Sequence, residues 1–217
     1  MEKRFSKINP VRSRARAQAR LAEAYGRATS NGIKVIIGLG NPGAEYENTY
    51  HNAGKLMLDY LSKIVSSENN VENSDFKKLS SSGCFEIINL GEVALVKTLT
   101  YMNESGKVAK LVLKNLKAEA GSLIVVHDDS DIKLGEYKIS FGRSSAGHNG
   151  VQSIIESLGT KNFWRLRIGI RKKDIRKKAS ELVLKKITVG NAELMCSAFQ
   201  KATKEIFPAS PTKRGDG

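Results

Sequence analysis

The sequence predicts an α/β fold, a single-domain sandwich with a mixed, mostly parallel central β-sheet flanked by helices. Three observations carry this reading. Short β-branched runs alternate along the chain with segments of helical spacing, the pattern of strands and helices in layers. The runs at 33–37 and 122–127 lack a clear polar face, as strands buried between two helical layers must. The chain has 217 residues, 40% hydrophobic and 27% charged, which suits one globular domain with a sizeable core.

The fold is expected to begin at Ile33, where Ile33-Lys34-Val35-Ile36-Ile37 ends in Gly38. A helix over 52–65 follows, with Leu56, Leu58, Leu61 and Ile64 as its apolar positions. Ser, Asn and charge dominate 66–83, which reads as a mobile loop. A hairpin over 84–90 and 93–97 turns at Gly91, and a helix occupies 104–116. The strand at 122–127 is read as closing in acids. A strand at 137–141, a helix at 147–158 and a strand at 164–170 come next. The last strand alternates Trp/Arg/Leu/Arg/Ile, so one face is apolar and the other basic. A helix over 191–206 carries Leu194, Met195, Ala198, Phe199, Ala202 and Ile206 on one side. Residues 208–217 are expected to form a disordered tail, which leaves 33–207 as the domain.

Composition narrows the function. The net charge is +14, which favours a polyanionic partner, nucleic acid first and an acidic membrane surface second. No run approaches the roughly eighteen apolar residues that a membrane-spanning helix needs. Two cysteines, Cys84 and Cys196, give neither a disulfide framework nor a cysteine-only zinc site and suggest a reducing compartment. Residues 1–32 carry Lys3, Arg4, Lys7, Arg12, Arg14, Arg16, Arg20 and Arg27 against Glu2 and Glu23. This basic extension reads as a transit peptide for a mitochondrion or another organelle, with a disordered tail or an RNA-binding arm as the competing readings and the cytoplasm as the other location.

Several polar motifs sit where strands end or helices begin. Gly38-Leu-Gly-Asn-Pro-Gly43, with Asp59 downstream, matches a dinucleotide-binding fingerprint. However, Gly43 lies well before the helix, and Glu45 and Glu47 would repel a pyrophosphate. The glycines are better read as a sharp turn that exposes Asn41 at a strand end, where open α/β sheets bind ligands. His51 follows in a polar stretch at a helix start, Asn103 before another helix, and Ala146-Gly-His-Asn-Gly150 opens a third. Alone, His51 reads as a capping or surface histidine and Asn103 as an N-cap. His127-Asp128-Asp129 could bind a metal or orient a histidine, but no second ligand cluster is evident. There is no nucleophilic serine elbow and no cysteine beside a histidine motif. A histidine base with carboxylate support and several amides suits direct attack of water on an ester or amide.

The segments Gly38-Leu-Gly-Asn-Pro-Gly-x-x-Tyr46, Thr49-x-His-Asn-x-Gly54, Tyr101-Met-Asn-x-Ser-Gly106, His127-Asp-Asp129, Gly147-His-Asn-Gly150 and Arg165-Leu-Arg-Ile-Gly-Ile170 closely resemble the bacterial-type peptidyl-tRNA hydrolase family, in order and spacing. The resemblance spans about residues 33–187. It implies a monomeric enzyme, free of metal and cofactor, that cleaves the ester between a peptide and tRNA and recycles tRNA from stalled or aborted translation. It implies that His51 activates water and Asp128 orients it. Asn41 and Asn103 would line the site, and Asn149 would position water or stabilise the oxyanion. Tyr46, Asn52, Met102 and His148 match positions lining the same cleft, and Arg167 a residue at the phosphate end of the tRNA. The chain departs from the family at Tyr50 and Ser140, where arginine and lysine are usual, at Leu99, where proline is usual, and at Arg171-Lys172-Lys173, where Gly-Arg/His-Pro usually follows. These departures bear on tRNA contact and rate, not on the base, acid or amides.

Arg165, Arg167, Lys172 and Lys173 belong to a basic cluster over 161–178 that reads as a phosphate-binding strip. The expected partner is therefore peptidyl-tRNA, with the ribosome as a further candidate and no membrane. The competing function is a non-catalytic RNA-binding protein on the same fold, such as an organellar splicing factor or a ribosome-associated protein.

Overall fold

The structure, a computed structural model, describes residues 32–69, 76–78, 83–90, 93–172 and 179–207. The basic extension up to residue 31, the 208–217 tail, Gly91 and Lys173 lie outside the described residues.

The sheet has seven strands in the order β2-β3-β4-β1-β5-β7-β6. They are β1 (Val35–Gly38), β2 (Lys77–Lys78), β3 (Phe85–Leu90), β4 (Val93–Thr98), β5 (Leu123–Lys133), β6 (Tyr137–Phe141) and β7 (Trp164–Arg171). The central four, β4-β1-β5-β7, run parallel, while β2 and β3 at one edge and β6 at the other are antiparallel. β1 is buried along its whole length, which explains its unbroken apolar run.

Helices α1 (Ala53–Asn69), α2 (Ser105–Asn115), α3 (Asn149–Leu158), α4 (Ala179–Val183) and α5 (Val189–Ile206) complete the described fold. Side-chain alternation on the strands builds two cores. Ile36, Val126, Leu166 and Ile168 pack with Leu58 and Leu61 of α1 and with Met195 and Phe199 of α5. On the opposite face Val35, Ile37 and Val125 pack with Val108 and Val112 of α2 and Ile154 of α3.

Three expectations need correction. Helix α1 continues through Ser66 to Asn69, and Lys77–Lys78 pairs with β3, so the stretch read as a loop is partly regular. Extending an existing helix gains one hydrogen bond per residue, so its last turn needs no apolar pattern. Strand β5 does not close in acids but runs on through Asp128, Asp129 and Asp131 to Lys133, with a shift in its pairing to β7 between Asp129 and Lys133. Those acids face the site and its rim, so polarity there does not mean the strand has ended. Leu194 lies off the buried stripe of α5 and is half exposed. The five-residue α4 has no counterpart among the sequence-based expectations.

Candidate active site

The site is a cleft of about 480 Å³ at the carboxyl ends of the parallel strands. Its lining includes Asn41, His51, Met102, Asn103, Asp128, His148 and Asn149, drawn from separate stretches of chain. Gly54 lets the start of α1 rest directly on the sheet, because a Cβ there would collide with the Val126 and Leu39 backbones. The loop before α3 turns through Ala146 and Gly147, both at positive φ (50° and 81°), and delivers His148 as the N-cap.

Asp128 is the centre of the site. It is 3% exposed, and one carboxylate oxygen faces both His51 Nδ1, at 2.8 Å, and His148 Nε2, at 3.1 Å. Burial by itself would push this carboxyl up. The charges of His148 and His51 and their hydrogen bonds outweigh it and hold the carboxyl well below the usual carboxylate range. An ionised Asp128 accepts from both rings. The Val151 N–H donates to His148 Nδ1 at 3.3 Å, which puts the His148 proton on Nε2. By the same logic His51 carries its proton on Nδ1, and its Nε2 lone pair remains available for a proton. The His51 and His148 ring centroids lie 5.1 Å apart.

His127 lies behind this pair, with its ring edge-on to His148 at 4.6 Å between centroids. Its Nδ1–H donates to the Asp128 carbonyl at 2.7 Å. Burial, then the neighbouring His148 charge, push it well below the ordinary histidine range. It is therefore neutral.

Asn41 is fixed on nearly every side. Its N–H donates to Asn52 Oδ1 at 2.8 Å, and its carbonyl accepts from Asn52 Nδ2 and Lys55 Nζ, each at 3.1 Å. Its Oδ1 accepts from the Met102 N–H at 2.9 Å, leaving its Nδ2 hydrogens to donate to a bound group. Asn103 and Asn149 are exposed at the cleft, Asn149 as the first residue of α3.

Other sequence-derived site residues stand elsewhere. Asn52 does not line the cleft; it is buried behind Asn41 and holds it. Tyr46 stands outside the lining, edge-on to Tyr101 at 6.5 Å. Arg165 and Arg167 share a face of β7, but that face is not an open basic strip. Arg165 is 2% exposed and donates to the Ser144 carbonyl at 2.7 Å. Arg167 is ion-paired to Asp129 at 2.7 Å. Lys172 is half-buried, its Nζ 6.0 Å from the centre of the Tyr50 ring.

Sequence reasoning missed Lys55 and the cleft-wall residues Val183 and Leu184. A lone lysine gives no signal before the fold places it, and Val183 and Leu184 lie beyond a basic run where no helical period could form. Asp59, the acid that completed the dinucleotide pattern, is ion-paired to Lys97. Among the described residues, His51, Asp128 and His148 also offer donor atoms within 4.8 Å of one another, close enough for a metal ion. A cation on His51 Nδ1 would move the ring proton to Nε2 and remove the available lone pair.

The peptidyl-tRNA hydrolase family model matches residues 35–212. Peptidyl-tRNA hydrolase of Mycoplasma capricolum is 41% identical over 174 residues, covering 80% of this chain and 91% of the relative. That of Aquifex aeolicus is 37% identical over 177 residues, covering 82% and 90%. The crystal structure of peptidyl-tRNA hydrolase from Acinetobacter baumannii superposes with a TM-score of 0.68 at 29% identity, covering 81% of this chain and 87% of that one. With the family model matching most of its length and relatives of about 40% identity covering most of both chains, the chain belongs to the peptidyl-tRNA hydrolase family.

Proposed function

We propose that the protein hydrolyses the ester joining a peptide to the terminal ribose of tRNA. The observation that carries this is the buried, ionised Asp128 holding His51 with its Nε2 available at a cleft walled by amides. His51 Nε2 takes a proton from water as the water oxygen bonds to the ester carbonyl carbon. Asn41 and Asn149 line the cleft, and in this reading their amides, with the positive end of α3, receive the developing oxyanion. The carbon–oxygen bond to the ribose then breaks, and the proton on His51 passes to the leaving oxygen. Met102, Val183 and Leu184 give the peptide an apolar wall.

The finer reading is a monomer that releases tRNA from stalled translation inside a mitochondrion or another organelle, imported by residues 1–32. Its support is the Arg-rich, acid-poor composition of that extension. Incubation with peptidyl-tRNA and, separately, aminoacyl-tRNA tests the activity. Release of peptide without release of free amino acid is expected; release of neither would remove the hydrolase reading. Cells producing a chain that starts at Ile33 test the location, since unchanged localisation would remove the import reading alone.

A further inference from the structure

We propose that the Tyr50 hydroxyl and the Asn191 side chain form a positioning pair that holds His51 in register from the far end of the chain; this rests on the hydrolase reading above. Tyr50 immediately precedes His51 in a 3-10 turn, Tyr50–Asn52, and is 1% exposed. Its ring lies in the apolar cluster that includes Met57, Leu182 and Met195. Its hydroxyl accepts from Asn191 Nδ2 at 2.6 Å, across 141 residues of sequence, and Asn191 lies in the first turn of α5.

This contact closes a short clamp. The Tyr50 N–H donates to the Lys185 carbonyl at 3.2 Å, and the Ile187 N–H donates to the Asn48 carbonyl at 2.8 Å. Between them Thr49 and Lys186 form an antiparallel bridge. Lys186 Nζ also reaches the carbonyls of Ala44, at 3.2 Å, and Glu47, at 2.6 Å. The backbone entering His51 is thus gripped by residues 185–187, and the Tyr50–Asn191 bond ties that grip to α5. The same stretch brings Val183 and Leu184 to the cleft wall. One segment therefore both touches the region where the peptide binds and sets the base. His51 depends on this support because its ring makes a 2.8 Å contact to Asp128 that a small rotation would break.

If Tyr50 only filled the core, phenylalanine would serve as well. The test compares wild type with Tyr50→Phe, Asn191→Ala and the double variant, all as the full chain. The measurements are kcat and KM on peptidyl-tRNA, the thermal midpoint, and the NMR resonance of the His51 Nδ1–H in the free protein. Each single change should lower kcat by about ten- to a hundredfold, the scale of a misplaced catalytic group. KM should move less than about twofold. The double variant should be no worse than the weaker single, because one bond is being removed. The His51 Nδ1–H resonance should broaden in all three. Near-wild-type kcat in Tyr50→Phe, losses that multiply in the double variant, or an unchanged resonance in folded protein would each overturn the pair. A wild type unable to release peptide would instead sink the hydrolase reading, and the resonance would still decide the pair.

Discussion

The cleft and the arginine-bearing face of β5 and β7 both concentrate charged groups and use them differently. At the cleft, Asp128 sits between His51 and His148, and its contact to His51 Nδ1 leaves that ring's other nitrogen available. Along β7, Arg165, Arg167 and Arg171 look like a strip offered to phosphate, yet each is already engaged. Arg165 bonds the Ser144 carbonyl, Arg167 pairs with Asp129, and Arg171 holds the Ser130 carbonyl and Asp131. A motif of mixed polar residue types constrains its own geometry, because each member needs a particular partner. A run of like charges does not, because the neutralising acids lie elsewhere in sequence.

The sharpest way to break this contrast is at the base. His51→Ala should lower kcat by about 10² to 10⁴, the span of a lost general base. Binding of tRNA, measured by filter retention, should persist, since the substitution leaves every surface cation in place. Retained activity would take His51 out of the mechanism.

Neutralising the strip should act on binding instead. Unlike Arg165 and Arg167, Arg171 meets its partner Asp131 at the surface and can exchange it for phosphate, so Arg171→Gln with Lys172→Gln should raise KM for full-length peptidyl-tRNA more than it lowers kcat. The slope of log affinity against log salt should become shallower, by up to about 0.7–0.9 for each phosphate that is no longer neutralised. Arg165→Gln should leave that slope alone and cost about 1–3 kcal/mol of stability in denaturant titration, since its guanidinium is buried and hydrogen-bonded. A salt slope that falls for Arg165→Gln would show that this arginine reaches RNA.

Acid stability tests the cleft alone. His127 in the folded protein stays neutral well below pH 6.5, the ordinary value it regains on unfolding. As pH falls below 6.5, the unfolded chain takes up a proton that the folded one refuses, so stability falls by up to about 1.4 kcal/mol per pH unit. Asp128 adds a similar loss only below its ordinary value of 3.8. Urea titrations between pH 7 and 5 should show the first slope, and His127→Gln should flatten it. The smallest effect belongs to the basic extension: a chain starting at Ile33 should hydrolyse substrate in vitro at the full-length rate.

The sequence is most legible where chemistry and periodicity agree. Tyr137–Phe141 forms a strand where alternation places it, and the 84–97 hairpin has its expected pairing. Strand β5 runs longer than expected because its acids belong to the site and its rim rather than to a turn. Helix α4 has too few residues to show a helical period. The family resemblance implies that Asn52 lines the cleft beside His51, but the 3-10 turn directs the two side chains differently. One reaches Asp128 and the other the Asn41 backbone. Alternation puts Arg165 on the correct face of β7 but cannot reveal that the face is covered.

The central claim is that Asp128 makes His51 a base by fixing its tautomer. Single-turnover release of peptide from peptidyl-tRNA by Asp128→Asn, with tRNA binding measured on the same preparation, tests it most directly. An amide keeps the shape of the carboxylate but offers neither its charge nor a fixed preference for the Nδ1 proton. The rate should fall by about 10² to 10⁴ while binding is unchanged. Peptide release at close to the wild-type rate would contradict the account.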